Sequence, residues 1–128
     1  MSAISWLQVL LISLGASLGA LARWGAGLWL NATWNGFPLG TLLVNLVGGL
    51  LIGAALEWFT HRPDELLRLL LVTGFLGGLT TFSAFSGESL SLLTRGAFGL
   101  AAVHSLAHVL GALGAAAVGM RLMQWAIV

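Results

Sequence analysis

Asn45, Thr80, Thr81, Ser83, Ser86, Glu88, His104, Ser105 and His108 each interrupt an otherwise apolar run of sequence. Polar side chains inside such runs are costly unless they face a partner or water, so each is a functional candidate. Asn45 lies one turn after Thr41, and its carboxamide carries two donor hydrogens, enough to tie two helices together or to hold an anion. The spacing leaves both roles open. His104 and His108 share one helix face, one turn apart, with Ser105 beside them. That spacing suits a metal pair, but no Cys or nearby carboxylate accompanies it in sequence. Neutral imidazoles bonded across an interface, or lining a wet path, are the expectation instead. Glu88 offers a proton site, a partner for an arginine or a hydrogen-bonding cap.

The densest of these stretches is GFLGGLTTFSAFSGE, residues 74 to 88. Glycines followed by adjacent β-branched threonines weaken a helix, and unwound backbone at membrane depth survives only where it is buried in protein or lines a cavity. A broken helix is expected at about 76 to 80. Such a break frees carbonyl oxygens, which can take a desolvated cation. Beyond it, Phe82 and Phe85 sit three apart with Ser83 and Ser86 alongside, at the start of a new helix whose amides carry positive potential. Aromatic ring edges are also partially positive, so this neighbourhood suits an anion. Plain packing remains the alternative for the phenylalanine pair.

The elements that must position these groups follow from composition. Of 128 residues, 59% are hydrophobic and 7% charged, with no Cys and no Tyr. A soluble domain carries about a quarter of its residues as charges, so lipid must solvate this chain. We expect one all-α integral membrane domain over residues 1–128, with spans at about 5 to 29, 39 to 60, 66 to 95 and 97 to 125. Asn31, Asn35, Gly36 and Pro38 mark the first turn; Pro63 and Asp64 mark the second. Trp6, Trp24, Trp29, Trp34, Trp58 and Trp125 all fall near span ends, where indoles prefer the headgroup level. The run from Leu7 to Leu18 has the look of a signal peptide, but no basic residue precedes Arg23, so retention is expected. The small net charge gives no nucleic-acid footprint, and no nucleophile, base and orienting group cluster as in an enzyme.

Four spans place Arg62, Arg68 and Arg121 on one side and Arg23 and Arg95 on the other. So weak a bias is what a protein inserting in both orientations would show, though a fixed orientation is equally compatible. Arg23, beside Trp24, is either buried or snorkels to the headgroups. Gly15 with Gly19, Gly49 with Gly53, and Ala107, Gly111, Ala115 and Gly119 form small-residue seams for close helix contact.

Three segments in order, GASLGALAR at 15 to 23, GTLLVNLVGGLLIG at 40 to 53 and TGFLGGLTTFSAFSGE at 73 to 88, resemble the Fluc (CrcB) fluoride channel family over essentially the whole chain. The resemblance implies a fluoride-selective passive channel, a dual-topology antiparallel homodimer with a broken third helix and two fluoride pathways, in the inner (plasma) membrane. It implies a central sodium ion on the main-chain carbonyls of Gly77 and Thr80. It places Asn45, Phe82 and Phe85, the polar track of Thr81, Ser83 and Glu88, and the helix 4 candidates His104, Ser105 and His108 along the fluoride pathway, with Arg23 in a structural or vestibule position. One departure is Ala112, where some members carry a hydroxyl. The small multidrug exporters, also four-span, are a competing reading with Glu88 as the acid; a scaffolding subunit is a third.

Overall fold

The computed structural model describes residues 3 to 33 and 36 to 128. Trp34 and Asn35, assigned above to a span end and a turn, lie outside the described residues. Helix α1, Trp6–Leu30, opens with a reciprocal cap: Gln8 N–H donates to the Ser5 hydroxyl at 3.2 Å, and Ser5 N–H donates to Gln8 Oε1 at 3.0 Å. At its far end Asn31 Oδ1 accepts from Thr41 N–H at 3.1 Å, stapling α1 to the start of α2, Leu39–His61. The Arg62 guanidinium then lies over Trp58, 5.0 Å from the ring centroid, a cation on an indole face at the span end.

Asp64 caps the next element by accepting from Leu67 N–H at 3.0 Å. A short α3, Glu65–Arg68, widens into a π-helix over Leu69–Leu76 and tightens again in α4, Gly77–Leu79. Thr80 (φ −85°, ψ 155°) and Thr81 (φ −149°, ψ 120°) are extended, and α5 runs Phe82–Thr94. Gly96, at φ 74°, makes the turn into α6, Phe98–Ile127. Four stretches are long and apolar enough to cross a membrane: Trp6–Leu30, Leu39–His61, Glu65–Thr94 and Phe98–Ile127. The described residues are all helix, turn and irregular segment, with no strand.

Within the 76 to 80 window the backbone stays helical through Leu79, and the extended pair is Thr80 and Thr81. Gly74 and Gly78 are helical and serve as packing surfaces. A Cβ on Gly78 would strike the Ala16 carbonyl, and one on Gly74 would lie 3.0 Å from the Gly15 Cα. Gly15 and Gly19 return the contact from α1, so two backbones meet with no side chain between them. The seams of α2 and α6 interlock in the same manner: Gly49 and Gly53 abut the backbone of Ala112 and Ala116, and Gly119 abuts Leu50. The threonines leave the helix because another arrangement satisfies them. The Thr81 hydroxyl caps α5, accepting from Ala84 N–H at 3.1 Å, and Thr80 Oγ1 donates back to the Leu76 carbonyl at 2.8 Å.

Candidate functional site

The extended pair exposes backbone polar groups at the middle of a membrane span, where each needs a partner. Asn45 supplies it from α2. Its Oδ1 accepts from Thr81 N–H at 2.9 Å and its Nδ2 donates to the Thr81 carbonyl at 3.0 Å. The same Nδ2 lies 3.0 Å from His108 Nδ1 on α6, so one carboxamide joins three spans. Of the two roles open to Asn45 from sequence, the geometry shows the tie between helices.

Beside this junction runs an open groove of about 540 Å³. Gly77, Thr80 and Thr81 line it from the interruption, Asn45 from α2, Phe82 and Phe85 from α5, and His108 from α6. The two phenylalanine rings lie 5.4 Å apart at an interplanar angle of 58°, and Phe82 is 77% exposed. The Thr81 hydroxyl also meets Ser83 Oγ at 3.2 Å.

A second polar group lies behind Phe85. Glu88 accepts from Thr41 Oγ1 at 2.5 Å and pairs with His104 Nε2 at 3.1 Å. His104, wholly buried, carries the chain onward through Nδ1 to Ser89 Oγ at 2.8 Å, and Ser89 reaches Ser105 Oγ at 3.2 Å. Phe85 bridges the two groups: it stacks on His104 at 5.4 Å and on His108 at 4.7 Å, and the two imidazoles are 4.6 Å apart. Phe37 closes the far side of His104 edge-on at 5.4 Å.

The histidine pair therefore does have a carboxylate beside it. Glu88 arrives from α5, with one candidate ligand atom from each of Glu88, His104 and His108 lying within 4.8 Å of the others. Sequence separation hid it, because α5 folds back against α6. Arg23 is half-buried and its Nε donates to the Gly78 carbonyl at 3.0 Å, a structural tether to α4 at the edge of the interruption.

Asn45, Thr81, Phe82, Phe85 and His108 thus meet at the groove, Glu88, His104 and Ser105 gather behind it, and Ser83 sits exposed beside Thr81. Ser89 and Phe37 escaped sequence reasoning. A serine next to a glutamate carries no signal of its own, and Phe37 falls in a loop-like stretch; only their contacts with His104 reveal them.

A family model described as CrcB-like protein, Camphor Resistance (CrcB), matches residues 10 to 120. Among curated proteins, the "Fluoride-specific ion channel FluC" of Pseudomonas aeruginosa (strain UCBPP-PA14) is 51% identical over 122 residues, covering 94% of this chain and 96% of its own. The protein of the same name from Aromatoleum aromaticum (strain DSM 19018 / LMG 30748 / EbN1) is 53% identical over 106 residues, 81% of each chain. That from Nitrosomonas europaea (strain ATCC 19718 / CIP 103999 / KCTC 2705 / NBRC 14298) is 44% identical over 122 residues, 94% and 96%.

Proposed function

The chain belongs to the CrcB-like family, and from that premise we propose that it is a fluoride-selective channel of the inner membrane that lets fluoride leave passively, through two pathways in an antiparallel dimer. It is a transport protein and not an enzyme. The observation that carries the reading is the groove in which an aromatic pair, exposed Phe82 and half-buried Phe85, adjoins a stitched helix interruption. A strongly hydrated small anion needs donors and positive ring edges that replace water without trapping the ion. The groove supplies these with no fixed cation among the side chains named on it, and Arg23 is engaged with a carbonyl.

The dimer answers a problem one copy leaves open. Phe82 and the groove face outward from the single chain, and the few polar atoms set in that largely apolar wall, among them those of Asn45, Thr81 and His108, are better covered by protein than by lipid. A second, inverted copy would roof it, and the weak arginine bias is compatible with insertion in both orientations. Sodium at the dimer centre would be held by the main-chain carbonyls of Gly77 and Thr80. The residues fit such an ion: Thr80 is extended, Gly77 has no atom closer than 3.8 Å to a Cβ built on it, and carbonyl oxygens are hard donors. Such an ion would supply fixed positive charge at the junction of the two copies.

Passive flow suffices because hydrogen fluoride, a weak acid, enters neutral and dissociates inside, and an inside-negative potential expels the anion. The exporter reading asks Glu88 to serve as an open counter-charge, whereas its oxygens are engaged by Thr41 and His104. The test is fluoride efflux from liposomes holding the purified protein, started by a potassium diffusion potential. Rapid loss of fluoride with chloride retained is expected; folded protein that passes neither ion refutes the reading.

A further inference from the structure

We infer that Asn45 acts on the permeant anion through His108: it fixes the tautomer that leaves His108 Nε2–H as the buried donor of the pathway. The inference rests on the channel reading and assigns roles within its site. The carboxamide orientation is set by Thr81, whose N–H must meet Oδ1 and whose carbonyl must meet Nδ2. Rotating the amide by a half-turn would oppose oxygen to oxygen and N–H to N–H. Nδ2 is therefore the atom facing His108 Nδ1 at 3.0 Å, and it brings a hydrogen. Nδ1 must accept, which puts the ring proton on Nε2.

That Nε2 is buried and has no hydrogen-bond partner. His108 is itself only 4% exposed, lines the groove and lies against Phe85. A buried donor without a partner is rare in a folded chain, and an arriving anion satisfies it. Asn45 has no donor left for that task, since both hydrogens of its Nδ2 are committed to Thr81 and His108. With Glu88 ionised, His104 Nε2–H is likewise spent on the carboxylate, and Ser89 donates to His104 Nδ1. The tautomer also decides against a divalent cation at Glu88, His104 and His108: Nε2 carries a proton where a metal needs a lone pair, and Nδ1–H would clash with the Asn45 amide.

The test is nitrogen-15 NMR of histidine-labelled protein in lipid, with His108→Gln assigning the His108 signals by their loss. In the unmodified chain we expect a single tautomer protonated at Nε2, whose N–H resonance moves with sodium fluoride and stays put with sodium chloride. Asn45→Asp puts an acceptor where Nδ2 stood, giving up the bond to the Thr81 carbonyl, so the ring proton should transfer to Nδ1, the fluoride-dependent shift should vanish, and efflux should fall about tenfold or more, the weight of one hydrogen bond to a charged group. An Nδ1 proton in the unmodified chain, an Nε2 resonance indifferent to fluoride, or Zn²⁺ coordination through Nε2 each overturns the assignment. The tautomer is read from the spectrum without flux, so its failure is separable from failure of the channel reading.

Discussion

Asn45 and Thr81 are bonded to one another in both directions, side-chain oxygen to backbone N–H at 2.9 Å and side-chain N–H to backbone carbonyl at 3.0 Å. The carboxamide stands in for the helical partners that an extended residue lacks. Replacing Asn45 with Leu, similar in size, strands two backbone groups away from water, each at about 1–3 kcal/mol. We expect a loss of at least about 2 kcal/mol, seen as a lower denaturation midpoint by circular dichroism in detergent. Thr81→Val keeps the backbone pairing with Asn45 but removes the α5 cap and the contact with Ser83 Oγ, and should lower stability by about 1 kcal/mol.

Phe82 and Phe85 should separate function from stability. Phe85 stacks on two imidazoles, whereas Phe82 stands 77% exposed in the single chain. Isoleucine at either position should cut fluoride efflux at least about tenfold, the effect of roughly 1.4 kcal/mol at the aromatic pair. Only Phe85→Ile should also destabilise the fold, by about 1 kcal/mol of lost ring contacts. Undiminished efflux in both variants would remove the aromatic pair from the pathway.

The glycine seams make a sharper comparison. A Cβ on Gly53 would run into the Ala116 carbonyl, while Gly114, on the same α6 as Ala116, has open space. Gly53→Ala should destabilise by about 1–3 kcal/mol through overpacking. Gly114→Ala should be neutral or stabilising by up to about 1 kcal/mol, as helix propensity favours alanine. Thermal melts of the two variants, run side by side, check both signs.

Glu88→Gln distinguishes a channel from a coupled exporter. The amide keeps an oxygen to accept from Thr41 or His104 but cannot carry a removable proton. Efflux measured with a fluoride electrode should stay within about an order of magnitude of the parent, because a conducting pathway needs no titrating acid. It should also be indifferent to an imposed pH gradient, followed with a pH-sensitive dye. Complete loss together with proton movement in the parent would install Glu88 as a coupling site.

The spans were legible because their signal is additive: long apolar runs and punctuating turns predict 5 to 29 and 39 to 60, and the helices are Trp6–Leu30 and Leu39–His61. The groove residues were legible too, since Asn45 and His108 are conspicuous against their apolar neighbours. What stayed hidden depends on spacing in three dimensions. Glu88 and His104 are 16 positions apart, and only the turn at Gly96 sets them 3.1 Å from each other. By sequence Gly74, Gly77 and Gly78 weaken a helix, whereas close approach of α1 makes Gly74 and Gly78 helical contact surfaces; glycine's two uses look identical in sequence. No residue in Leu69–Leu76 advertises a π-helix, and that run packs its backbone against Gly15 and Gly19.

Arg23, Glu57 and Glu88, three charged side chains within the spans, are each tied in place. Arg23 holds the Gly78 carbonyl, Glu57 accepts from Gln124 at 3.2 Å, and Glu88 accepts from Thr41 and His104. A membrane voltage does about 2.3 kcal/mol of work per 100 mV on each charge it moves fully across. With these three charges pinned, the electric field acts chiefly on the permeating ion itself. Current through the protein should therefore rise in a straight line with applied voltage, with no threshold and no memory of the previous potential.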